Sequence, residues 1–225
     1  MSWSDLFAKV RSIISSQTPA VPVAPAPVIR VAPVAYKPTS SAMQPILDEI
    51  CNNEGGYVDD PQDAGGITNY GISVNFAKDH VAFFDLNHDG VVDGMDIKAL
   101  TPTLAKQAYM QFFIQPAKLD TIPDGSTIRM QLCDLAVNSG VRYSDGHTEA
   151  VIVLQRAVNA PVDGILGAGT LAILMAAIQT HGAIVVNNSV VDQRIAFYKK
   201  VVAAHPEDQK FLAGWEKRAN KYRKG

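Results

Sequence analysis

Glu54-Gly55-Gly56-Tyr57, followed by Asp63-Ala64-Gly65-Gly66-Ile67-Thr68-Asn69-Tyr70-Gly71-Ile72, is the stretch on which the fold turns. Ahead of it, Met43, Ile46, Leu47, Ile50 and Cys51 recur at the three-and-four spacing of one helix face. Ser40 or Ser41 can cap that helix, and Pro45 is tolerated in its first turn. The next position on the same face is Glu54, and the two glycines after it end the helix. Glu54 is therefore expected at a helix C-terminus, on the inward side. Burial and the negative end of the helix dipole both disfavour an ionised carboxylate there. An acid that keeps its proton is what protonating a glycosidic oxygen requires. Position alone does not separate this from an ordinary solvated glutamate in a fraying last turn.

The residues that follow separate the two readings. Asp59, Asp60 and Asp63 lie in a segment broken by Pro61 and glycines, and the alternation of Ile67, Tyr70 and Ile72 predicts a short hairpin. A helix end facing a hairpin forms a cleft whose far wall can carry a second carboxylate. Asp63 is the candidate for it, with Thr68 able to hold a water by its hydroxyl. Asp59 and Asp60, beside Pro61, read as turn residues.

From 41 onward the chain reads as mainly α: helices over 101–113, 126–140, 147–158, 168–181, 189–204 and 206–222, with strand only in 56–74. Ahead of this body, residues 1–16 place Trp3, Leu6, Phe7, Val10, Ile13 and Ile14 on one side of an amphipathic helix, flanked by Lys9 and Arg11. Three roles are open to it: lying on a membrane or outer-membrane surface, docking on another protein, or staying partly disordered. Residues 17–40 read as a Pro/Ala/Val linker in extended, polyproline-like conformation.

Composition excludes some classes. A chain of 225 residues, 47% hydrophobic, suffices for one sizeable core, and a net charge of −2 gives no general case for nucleic acid. Cys51 and Cys133 fall within apolar helical patterns and read as small core residues. No conventional signal peptide or transmembrane stretch is expected.

One insertion has its own pattern. In Asp85-Leu86-Asn87-His88-Asp89-Gly90-Val91-Val92-Asp93-Gly94-Met95-Asp96, oxygen-bearing side chains fill loop positions 1, 3, 5, 9 and 12, glycine fills 6, and an apolar residue fills 8. This is the EF-hand arrangement, and it predicts a structural Ca2+ held by Asp85, Asn87, Asp89, the Val91 carbonyl, Asp93 and Asp96. The last ligand is aspartate rather than glutamate, as in dockerin-type loops.

The motifs together resemble those of the glycoside hydrolase family 108 muramidases, which include phage endolysins. The resemblance runs from Glu54-Gly55-Gly56-Tyr57 and Asp63-x-Gly65-Gly66-x-Thr68-Asn69-Tyr70-Gly71-Ile72 through Ala105-Lys106-Gln107-Ala108-Tyr109 and Asp134-Leu135-Ala136-Val137-Asn138-Ser139-Gly140. It continues through Leu154-Gln155-Arg156-Ala157, Val162-Asp163-Gly164-Ile165-Leu166-Gly167 and Gly214-Trp215-Glu216-Lys217-Arg218, so it covers about residue 42 to the C-terminus. Where such enzymes often carry Tyr-Trp after the Tyr109 helix, this chain has Phe112-Phe113.

The resemblance implies a lysozyme-like helical domain over 41–225 with a small β-hairpin at the active-site cleft. It implies a peptidoglycan-binding-like segment at about 134–222, while the calcium-loop insertion at about 80–97 interrupts the resemblance. Glu54 becomes the implied catalytic acid, and Asp63 and Thr68 its implied partners. Tyr57, Asn69, Tyr70 and Asn138 are the implied substrate contacts. The implied activity is cleavage of the β-1,4 bond between N-acetylmuramic acid and N-acetylglucosamine in bacterial peptidoglycan, for host lysis. Two alternatives remain: a lytic transglycosylase leaving 1,6-anhydromuramic ends, and a non-catalytic, calcium-dependent wall-binding protein. The expected state is a monomer, made in the bacterial cytoplasm and acting on peptidoglycan in the periplasm or cell wall after passage through a holin or export system.

Overall fold

The computed structural model describes residues 42–59, 66–123, 127–139 and 147–225. Two compact units divide the chain, Met1–Tyr109 and Met110–Gly225. The N-terminal amphipathic segment, the linker and Asp63 lie outside the described residues.

The first unit is built around helix α1 (Gln44–Glu54) and a two-residue-per-strand hairpin, β1 (Thr68–Asn69) and β2 (Ile72–Ser73). Met43, Ile46, Leu47, Ile50, Cys51 and Glu54 are all buried, as the spacing predicts. The N-cap is Met43, whose side chain makes no capping bond, and Pro45 occupies the first turn where a missing N–H costs nothing. The strands pair antiparallel, Thr68 with Ser73 and Asn69 with Ile72, and Val58 adds a bridge to Thr68.

Short helices α2 (Val74–Lys78), α3 (Val81–Phe84) and α4 (Gly94–Ala99) follow, then α5 (Pro102–Tyr109). Ser73 caps α2 by accepting from Phe76 N–H, and Phe76 and Phe84 meet edge to face with centroids 5.8 Å apart. Helix α4 packs on β1 and α2, and α5 packs on α1. The helix expected over 101–113 changes type at Tyr109: Met110–Ile114 is a π-helical turn, with Gln115 N–H bonded to the Met110 carbonyl.

Among its described residues the second unit has helices and no strand: α6 (Thr127–Ser139), α7 (Glu149–Ala157), α8 (Ala168–His181), α9 (Ala183–Ala204) and α10 (Gln209–Asn220). Helix α9 packs on α6, α7, α8 and α10 and is the axis of the unit. It starts at Ala183, six residues before the expected 189. Val185-Val186 is a β-branched pair with modest helix propensity, but Gly182 at φ 85° reverses the chain and Val186 and Asn187 are buried at once, so packing overrides propensity. The final helix also begins later than 206, after a 3-10 turn at Pro206–Asp208.

A buried ion cluster ties this unit together. Asp134 of α6 accepts from Arg194 of α9 at 2.6 Å and from Arg218 of α10 at 2.6 Å. Arg194 also donates to the Tyr198 hydroxyl and to the Gln131 carbonyl, and the Tyr198 and Tyr222 rings each lie 5.6 Å from its guanidinium carbon. Burial opposes ionisation of Asp134, but the charges of Arg218 and Arg194 outweigh it and hold the carboxyl below the usual carboxylate range.

Candidate active site

The expected helix end is present. Glu54 is the last residue of α1 and only 6% exposed, and Gly55 leaves the helix at φ 78°, a conformation that costs glycine little. Four residues beyond Glu54, Val58 exchanges two backbone hydrogen bonds with Thr68, at 2.8 and 2.9 Å, which binds the chain leaving α1 to the hairpin.

The hairpin then meets Glu54 directly. Its two-residue loop is Tyr70-Gly71, with φ 47° and 69°, and positive φ at both positions makes it a type I′ turn. A Cβ added to Gly71 would lie 2.8 Å from Glu54 Oε2 and 3.2 Å from its Cβ and Cγ. No side chain fits between the turn and the acid, so the glutamate rests on bare backbone.

The other sequence-derived candidates divide by location. Thr68 is buried on β1, and its hydroxyl donates to the Gly66 carbonyl at 3.2 Å. Tyr57 stands exposed beyond Gly55-Gly56, its hydroxyl 3.4 Å from Asp59 and its ring 6.0 Å from Lys98 Nζ, an open aromatic face of the kind on which sugars pack. Asn69 faces inward: its amide donates to the carbonyls of Ile97 and Leu100, at 2.9 and 3.4 Å, and anchors β1 to α4 and the residue after it. Tyr70 contributes its backbone to the turn, where its carbonyl accepts from the Tyr109 hydroxyl. Asn138 is buried on α6 in the second unit.

Neither cysteine is set up as a nucleophile. Both are free and buried, and burial pushes the thiols of Cys51 and Cys133 up, away from the reactive thiolate.

In the 85–96 loop the side-chain oxygens serve the loop's own backbone. Asp85 accepts from Asp89 and Gly90 N–H, Asp89 from Val91, and Asp93 from Met95. Asp96, buried at 1% exposure, reaches back to Leu86, Asn87 and Asp93 N–H, so the twelfth position closes on the first turn of the loop. Among the described residues, no three of His, Cys, Asp and Glu converge as a metal-holding group. The loop abuts the hairpin: a Cβ on Gly94 would lie 2.5 Å from Ile67 Cδ1.

The segment that carries the buried glutamate and the glycine turn matches a known family model. Residues 47–140 match the family model of glycosyl hydrolase 108. This glycosyl hydrolase 108 segment holds Glu54, the hairpin and Asp134, and residues 149–220 match a second model, described as a predicted peptidoglycan domain. Among solved structures, the chain is similar to SagA of Brucella abortus: 29% identity over 80% of this chain and 90% of that one, with a TM-score of 0.58. No curated protein matches the chain in sequence.

Inside the peptidoglycan segment, the Val162-Asp163-Gly164 turn is organised by Gln155. The buried Gln155 amide donates to Asp163, the Ile165 carbonyl and Thr170, and its oxygen accepts from Gly164 N–H at 2.9 Å. That accounts for the motif as a folding element.

Gly71 and Tyr109, present in the sequence only as members of longer motifs, each shape the surroundings of the turn. Gly71 suits the second position of a I′ turn, but Tyr70 is not a residue that ordinarily marks the first. The sequence places Glu54 at a helix end facing the hairpin, but does not show that Gly71 is the residue it packs against.

Proposed function

We propose that the chain is a peptidoglycan hydrolase of the muramidase type, cleaving the β-1,4 bond between N-acetylmuramic acid and N-acetylglucosamine. The observation that carries the reading is Glu54, a glutamate buried at a helix end against the backbone of Gly71, within the segment that matches glycosyl hydrolase 108. Glu54 donates its proton to the leaving glycosidic oxygen as oxocarbenium character grows on the sugar. Asp63 supplies the second carboxylate, and Thr68 helps position the attacking water. Tyr57 offers its exposed ring to a sugar face. The activity is exercised on the wall, in the periplasm, where a phage-type lytic enzyme meets its substrate.

The test is clearing of a purified peptidoglycan suspension, with mass spectrometry of the products. Wild type clears the suspension and yields reducing muramic ends. Glu54→Gln keeps the fold and loses about 10²–10⁴-fold in rate, the range general acid catalysis supplies. Products ending in 1,6-anhydromuramic acid reassign the enzyme as a lytic transglycosylase, and equal activity in the variant removes Glu54 from the chemistry.

Calcium belongs to the same proposal. Asp85, Asn87, Asp89, the Val91 carbonyl, Asp93 and Asp96 would hold it, with all-oxygen donors in a twelve-residue loop closed by Asp96. The ion would neutralise four clustered carboxylates and stiffen a loop whose Gly94 touches Ile67 beside the hairpin. Calcium at 100 times its dissociation constant would stabilise the fold by about 2.7 kcal/mol. A thermal unfolding midpoint unchanged between EDTA and excess calcium removes the ion from the account.

A further inference from the structure

We infer that Tyr109 is a positioning residue for Glu54, acting through the Tyr70-Gly71 turn. The inference rests on the reading of Glu54 as proton donor.

The hairpin cannot hold its own turn. Each strand is two residues long, and the bridge added by Val58 reaches Thr68 and not the loop. The hairpin therefore gains little beyond a two-stranded pair, which is marginal in water even when longer. Its loop also carries a conformational cost, because Tyr70, with a Cβ, sits in the left-handed region at φ 47°. Asparagine is the residue that ordinarily occupies this first position of a I′ turn. The turn must therefore be imposed from outside, and two buried groups impose it. Asn69 secures the strand before the loop by donating to the Ile97 and Leu100 carbonyls. Tyr109, fully buried, secures the loop itself by donating its hydroxyl to the Tyr70 carbonyl.

The other side of this loop is where Glu54 lies, close enough that even a methyl on Gly71 would clash with Oε2. A shift of the loop by a fraction of an ångström therefore changes where the carboxyl rests, and such displacements at a reacting group are costly in rate. The helix that carries Tyr109 also reaches the helix that carries Glu54. Lys106, one turn before Tyr109 on α5, pairs with Asp48 on α1. Helix α5 thus braces the acid's helix at one point and the acid's backing turn at another, and Tyr109 is the contact on which the second brace depends.

The experiment measures kcat, KM and the pH–rate profile on soluble peptidoglycan fragments for wild type, Glu54→Gln, Tyr109→Phe, Tyr70→Asn and the double variant Tyr70→Asn/Tyr109→Phe, with folding checked by circular dichroism. Tyr109→Phe keeps the ring and removes one hydroxyl. Its kcat is expected to fall about tenfold with KM within twofold of wild type, and the pH limb assigned to Glu54 to move. On top of Tyr70→Asn, which relieves the turn's own cost, the same substitution is expected to lower kcat less than threefold. That comparison carries the test if Tyr109→Phe alone does not fold. Wild-type kcat in Tyr109→Phe overturns the inference, and so does a tenfold loss on top of Tyr70→Asn. An inactive wild type, or an active Glu54→Gln, instead overturns the reading of Glu54 on which it rests.

Discussion

Glu54 in the first unit and Asp134 in the second are both buried carboxylates, and they are held differently. Asp134 is enclosed by two guanidiniums, with both oxygens bonded and its charge compensated. Glu54 ends a helix and lies along the backbone of a glycine turn, packed by Gly71 through its Cβ, Cγ and Oε2. A buried charge surrounded by opposite charges is locked in one protonation state and serves structure. Glu54 packs against the backbone of a turn, and the catalytic role proposed for it is what sets it apart from Asp134. The difference teaches that burial alone does not say what a carboxylate is for; its surroundings have to be compared as well.

The sharpest way to break the comparison is to neutralise each carboxylate in turn. Glu54→Gln should cost about 10²–10⁴-fold in wall-clearing rate and leave the urea unfolding midpoint near wild type. Asp134→Asn should do the reverse. It leaves Arg194 and Arg218 buried without their counter-charge, at a cost of about 3–5 kcal/mol, a large share of a domain's total stability. Paired activity and urea titrations on both variants would decide the matter. An Asp134→Asn protein with full stability, or a Glu54→Gln protein that unfolds, would collapse the distinction.

The Asp134 cluster also bears on how the chain is divided. Its aspartate comes from the segment matching glycosyl hydrolase 108, and both arginines from the segment matching the peptidoglycan domain. The family boundary falls between 140 and 149, yet within the second unit three helices from both sides of it share one buried network. The peptidoglycan segment expressed alone would leave two buried arginines without their aspartate.

Legibility in the sequence followed the range of the forces involved. Helix α1 and its terminal glutamate were readable because three-and-four periodicity and paired glycines are local signals. Helix α8 came out at its full length, 168–181, for the same reason: glycines bound it on both sides. The start of α9 was missed because Gly182 and the burial of Val186 act against a locally unfavourable β-branched pair. The hairpin was legible, but the hydrogen bonds of the Asn69 amide were not, because nothing local shows that it turns toward carbonyls 28 and 31 residues away. The bond from Tyr109 to Tyr70 spans 39 residues, and the Asp134–Arg218 pair 84. No window of sequence contains either.

A smaller effect distinguishes the second unit by its response to acid. An unfolded aspartate takes up its proton near pH ~3.9. In the folded chain burial works against the Asp134 charge, but Arg218 and Arg194 prevail and keep the carboxyl ionised to lower pH. Between the two values the unfolded chain binds more protons than the folded one, so stability is lost as pH falls. Above roughly pH 5 the contribution is complete and flat, and below it each unit costs at most about 1.4 kcal/mol. The comparator is the triple replacement Asp134→Leu/Arg194→Met/Arg218→Met, because a buried ion cluster can often be exchanged for apolar side chains of similar volume without loss of stability. Urea midpoints from pH 7 to pH 3 should decline in wild type and decline less steeply in the triple variant. Equal slopes would place the acid sensitivity in other carboxylates, and Asp134 would then be a packing element whose charge the fold does not use.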